Sequence, residues 1–108
     1  MVQNTLGKPR ELIIHPGEIL KDILDDRNMT QLELAKRTGL TKSYINKIVS
    51  GAKGISTSFA KKLSYALDMD ATVWTNLQSI YDAEMAEYEE QNSITEDEKQ
   101  IAKAVCVA

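Results

Sequence analysis

One cysteine in 108 residues rules out an intramolecular disulfide, and Cys106 reads as an incidental thiol. His15 is the only histidine, so a metal centre lacks ligands at a defined spacing. No serine, cysteine or aspartate stands around it in a nucleophilic arrangement either. No catalytic site, no metal and no cofactor is therefore expected, and the chain is read as something other than an enzyme. With two prolines, 43% apolar residues and no long apolar run, the sequence reads as a single soluble globular domain. It shows no transmembrane or signal segment, which makes the cytoplasm the default location and a membrane an unexpected partner. The most informative absence is local. From Leu34 to Leu67 there is no aspartate or glutamate, while Lys36, Arg37, Lys42, Lys47, Lys53, Lys61 and Lys62 supply seven cations.

The formal net charge is −3, yet residues 1–33 carry −2, residues 34–67 carry +7 and residues 68–108 carry −8. Counterion release depends on local phosphate neutralisation rather than on pI, so an acidic chain with gathered cations can still dock on a polyanion. A lysine-rich run is also compatible with an ordinary solvated face. The pattern inside the run decides between the two.

Residues 30–51 carry paired start and stop signals. Thr30 is placed to cap a helix, with Glu33 three residues on completing a capping box, and Gly39 can take the left-handed conformation that ends it. Thr41 can then cap a second helix, Lys42 to Ser50, closed by Gly51. Two helices of about eight residues joined by a short glycine-containing turn have helix-turn-helix spacing. Leu34, Ala35, Leu40, Ile45 and Ile48 would point inward, leaving Lys42, Ser43, Asn46 and Lys47 on the opposite face.

Those residue types suit a major groove. Lysine donates to guanine O6 and N7, asparagine pairs bidentately with adenine, and serine or threonine serves either. Gln31, at the start of the first motif helix, is placed to hold a phosphate together with free backbone amides and the positive end of the dipole. Lys53, just beyond the second helix, is a further phosphate candidate. Any one of these side chains would pass for ordinary surface; the reading rests on their joint placement.

Around the motif, residues 1–11 read as a flexible arm with Lys8 and Arg10, and Leu12-Ile13-Ile14 as a short extended apolar run. Pro16 fits the first position of a helix running to about Arg27, with Ile19, Leu20, Ile23 and Leu24 inward. Ser56 caps a fourth helix through Leu67, with Phe59, Ala60 and Leu63 inward. Asp70 caps a fifth, to about Gln91, whose stripe is Trp74, Leu77, Tyr81, Met85 and Tyr88. The part beyond Asp82 extends past what the small core can cover, so a partner subunit is the physical candidate to pack there. Thr95 to Glu98 repeats the capping-box pattern and would open a short tail helix with Ile101, Ala102 and Val105 on one side. The expected organisation is an arm at 1–11, a DNA-binding domain at 12–82 and an acidic helical extension at 83–108.

His15-Pro16-Gly17-Glu18-Ile19-Leu20, Leu34-Ala35 with Gly39, Gly51 with Gly54-Ile55-Ser56, Ala60, Leu63, Ala66-Leu67, and Trp74-x-x-Leu77-Gln78-x-x-Tyr81-Asp82 together resemble the HigA/VapI group of antitoxins. That group belongs to the Xre, lambda-repressor-like helix-turn-helix family. The resemblance spans about residues 14–82. It implies an all-α, five-helix lambda-repressor-like domain with an extended C-terminal helix and a short helical tail. It also implies a homodimer that binds an inverted-repeat operator, represses its own operon and neutralises a HigB-like toxin, a ribosome-dependent mRNA endonuclease. Thr41, Lys42, Ser43, Tyr44, Asn46 and Lys47 match the family's base-reading positions, and Gln31 its phosphate position. Ser50 departs from the family's usual asparagine before the glycine, and residues 83–108 lie beyond the resemblance. Two other readings stay open: a stand-alone repressor without a toxin, and a toxin-binding module with weak DNA binding.

Overall fold

The computed structural model describes residues 8–93, and every regular element among them is helical. After a 3₁₀ turn at Arg10–Leu12 come α1 (Pro16–Asp26), α2 (Gln31–Thr38), α3 (Lys42–Val49), α4 (Thr57–Leu67) and α5 (Ala71–Ser93). The described residues fall into two compact units, 14–82, and 8–13 with 83–93. The expected tail helix opening at Thr95 and the thiol of Cys106 lie outside the described residues, as do residues 1–7 of the expected arm.

Each helix of the larger unit starts at a residue that supplies the hydrogen bond its first turn lacks. Thr30, Thr41 and Ser56 accept through their hydroxyls from the amides of Glu33, Tyr44 and Phe59 at 3.0, 3.0 and 3.1 Å. Such caps contribute about 1 kcal/mol apiece. At Thr30 only half of the expected capping box forms, because Glu33 turns along the helix to Arg37, 3.5 Å away. The complete box sits instead at the start of α1. There His15 Nδ1 accepts from the Gly17 amide at 2.8 Å while Glu18 accepts from the His15 amide at 2.9 Å, and Pro16 occupies the first turn. Gly39, at φ 73°, ends α2 in the left-handed region, as its position between the motif helices predicts.

Asp70 opens α5 by accepting from both the amide and the hydroxyl of Thr72 at 3.0 Å. The backbone hydrogen bond first, and the hydroxyl second, hold its carboxyl below the ordinary value of 3.8. Its support for α5 is therefore complete above that ordinary value and is lost as pH falls through the depressed one. Asp70→Asn should abolish that acid-side component of the unfolding curve, and stability curves that remain parallel between the two proteins down to strongly acidic pH would contradict it.

The core is set by helical periodicity. Leu20 and Leu24 of α1, Leu34 and Ala35 of α2, Ile45 and Ile48 of α3, and Phe59, Ala60, Leu63 and Leu67 of α4 are all buried, with Ile55 and Trp74 closing the cluster. Ile19, Ile23 and Leu40 pack at its edge. Two arginines finish α4: Arg27 donates to the Leu67 carbonyl and Arg37 to that of Ala66, so cations meet the negative end of the helix. Early α5 is tied to the loop after α3. Gln78 accepts from the Ile55 amide at 2.8 Å and donates to Asp82 at 2.8 Å, while Tyr81 meets the His15 ring edge-on at 4.7 Å.

The start of the described chain differs from expectation. Leu12 ends the 3₁₀ turn rather than opening an extended run, and of the three apolar residues only Ile13 is buried. Ile13 and Ile14 are successive residues of extended chain and point to opposite sides, so Ile14 is exposed where Ile13 is buried, and Leu12 is exposed at the end of the turn. In the smaller unit Lys8 pairs with Glu84 at 2.7 Å, and Met85 and Tyr88 are half-buried.

Candidate nucleic-acid interface

The two faces of α3 separate cleanly within eight residues. Ile45 and Ile48 are fully buried, whereas Lys42, Ser43, Asn46 and Lys47 are exposed together on the other side. What aims the helix is backbone contact. A Cβ added to Gly17 of α1 would lie 1.8 Å from the carbonyl oxygen of Ile48, so only glycine lets the two helices approach this closely.

Beside α3, the N-terminal end of α2 forms the second wall of an open cleft of ≈ 610 Å³, lined by Thr30, Gln31, Leu32, Lys42 and Asn46. Gln31 is thus brought to the same concavity as two of the residues expected to read bases. The first-turn amides of α2 not taken by the Thr30 cap add positive potential at that wall. Thr41 is exposed but its hydroxyl is already engaged as the α3 cap. Lys53 is exposed on the loop after α3, its ammonium 4.8 Å from the centre of the Tyr44 ring.

Tyr44 stands apart from the other expected readers. It is half-buried, with its ring edge-on to Phe59 at 5.5 Å, so it braces α3 against α4 as well as bordering the exposed face. The seven cations of the acid-free stretch also divide by role. Arg37 and Lys62 reach the carbonyls of Ala66 and Thr38 at helix ends, at 3.3 and 3.5 Å, Lys36 and Lys61 are exposed on α2 and α4, and Lys42, Lys47 and Lys53 lie on or next to α3.

Two features escape the sequence reading above. His15 caps α1, although Glu18 three residues later gives it the spacing of a capping box. Leu32 is 49% exposed within the cleft. Its signal is equally local: Leu32 and Leu34 are two apart on a helix, and with Leu34 and Ala35 in the core Leu32 must leave it.

The helix-turn-helix family model matches residues 20–74 of the chain. Virulence-associated protein I of Dichelobacter nodosus is 38% identical over 87 residues, which cover 80% of this chain and 81% of that protein. The Pseudomonas aeruginosa antitoxin HigA, solved with the higBA promoter, superposes with a TM-score of 0.71 at 34% identity, covering 76% of this chain and 90% of that one. An addiction module antidote protein of a HigA family from Coxiella burnetii gives a TM-score of 0.68 at 31% identity, covering 76% of this chain and 90% of that one.

Proposed function

Since the chain belongs to the HigA/VapI group of the Xre-type helix-turn-helix family, we propose that it is a sequence-specific DNA-binding antitoxin that represses its own operon and neutralises a HigB-like toxin. The observation that carries the DNA-binding part is the joint exposure of Lys42, Ser43, Asn46 and Lys47 on one side of a helix whose other side is core. Lys42 and Asn46 read base edges, Ser43 and Lys47 complete the face, and Gln31 holds the backbone at the α2 end. Thr41 and Tyr44 hold α3 in place at the rim of the interface. Lys53 contributes a phosphate contact.

A two-fold homodimer presents two copies of α3 about 34 Å apart to successive major grooves, and so selects an inverted repeat. With about three to five phosphates neutralised per protomer, log K falls against log salt with a slope of roughly −5 to −9. Lys53→Ala should flatten that slope by roughly 2 in a dimer while leaving base preference as it was, because a phosphate contact carries no sequence information. A salt slope equal to that of the wild type would remove Lys53 from the interface.

The toxin part of the proposal rests on charge and on family. Residues 68–108 carry −8, a surplus that steers in a basic ribonuclease. Titration of the protein onto its own promoter fragment, with and without the toxin, tests both halves. A selective shift that the toxin modifies supports the antitoxin. No selective shift at moderate salt would leave a toxin-binding module, and a selective shift from a gene with no short basic reading frame beside it would leave a stand-alone repressor.

A further inference from the structure

Among the described residues Leu32 is the one large apolar side chain that lines the cleft, and nothing in its helix covers it: it is 49% exposed, while Leu34 and Ala35 next to it are buried. Every other wall residue of the cleft is polar or charged, namely Thr30, Gln31, Lys42 and Asn46. A leucine held open to water at the rim of a cationic surface loses apolar contact without gaining a hydrogen bond. The base edges of a major groove offer one apolar group, the C5 methyl of thymine.

We infer that Leu32 is a specificity-determining residue that takes a thymine methyl at the position beside the bases read by Lys42 and Asn46. The inference rests on the DNA-binding reading above and adds to it a contact from α2, the helix otherwise assigned to the phosphate backbone. Continuity of the cleft supports it: Leu32, Lys42 and Asn46 share one concavity, so a duplex that brings base edges to Lys42 and Asn46 brings them to Leu32 as well. The methyl and the leucine side chain then bury each other, while Gln31 on the same wall stays with the backbone phosphate. The chemistry discriminates sharply in one direction, because uracil and thymine pair identically and differ by that methyl alone.

The test uses a duplex selected by the full-length protein from a randomised pool, prepared once with thymine and once with deoxyuridine in place of every thymidine. Burying one methyl changes affinity about four-fold, so two symmetric half-sites give the wild type roughly a fifteen-fold preference for the thymine duplex. Leu32→Ala should bind the thymine duplex more weakly and lose that share of the preference, and Leu32→Met should keep most of it. Helicity by circular dichroism, unchanged in both variants because the site is exposed, separates lost contact from lost fold. An undiminished thymine preference in Leu32→Ala, or equal loss on both duplexes, would overturn the inference while the DNA-binding reading stands. Failure to select any duplex would sink that reading itself.

Discussion

Gly17→Ala should lower the thermal midpoint by more than about 12 °C, the equivalent of about 3 kcal/mol in a domain of this size. The physical reason is that the added carbon would fall 1.8 Å from a backbone oxygen, Ile48 O, which cannot swing aside as a side-chain tip would. To make room, α1 and α3 must separate, and the cluster of Leu20, Leu24, Ile45 and Ile48 loses its packing with them. Gly39→Ala provides the scale. A Cβ there meets nothing within 4 Å, and the cost is the left-handed backbone alone, about 1 kcal/mol. Thermal denaturation of both variants followed by circular dichroism decides the matter, and a Gly17→Ala loss no larger than that of Gly39→Ala would mean that the helices slide apart at little cost.

The double variant Lys42→Ala/Asn46→Ala should reduce affinity for a selected duplex by on the order of 10⁴-fold. Each good base contact is worth roughly 1–3 kcal/mol, of which about 1.4 kcal/mol is already ten-fold, and two contacts act at each of two half-sites. The decline has a floor, since the remaining cations still hold any duplex through its phosphates. Affinity for an unrelated duplex should therefore change far less, and the ratio of the two is the quantity to measure. Equal losses on selected and unrelated DNA would move both residues from base edges to backbone.

What the sequence tells of this fold follows from how local its signals are. Thr30, Thr41, Ser56 and Asp70 each bond to an amide two or three residues on, so the spacing along the chain already contains the contact. The inward faces of α1 to α4 are readable for the same reason: a period of 3.6 is a property of neighbours. The exposed side of α3 then follows as the complement of the buried one. Contacts across long separations leave no such mark. Arg27 and Arg37 reach carbonyls 40 and 29 residues away at the end of α4, and nothing near either arginine announces it. Counting Arg37 with the free cations therefore overstates the charge gathered beside α3. The Trp74-x-x-Leu77-Gln78-x-x-Tyr81-Asp82 stretch is legible as a likeness, but its physical purpose appears only in space. Trp74 completes the core, Gln78 holds the Ile55 amide, and Tyr81 backs the His15 ring.

The way every helix of the larger unit is punctuated by its own neighbouring side chains bears on time as well as on shape. Starts written beside the segments they govern, together with packing between α1, α2, α3 and α4 that follow one another closely, place the chain among topologies that mature in microseconds to milliseconds. A ribosome adding about 5–20 residues per second needs seconds to complete 108 of them. Maturation of the larger unit therefore adds almost nothing to the seconds its synthesis takes, and a new chain has its α3 face in place essentially as soon as it leaves the ribosome.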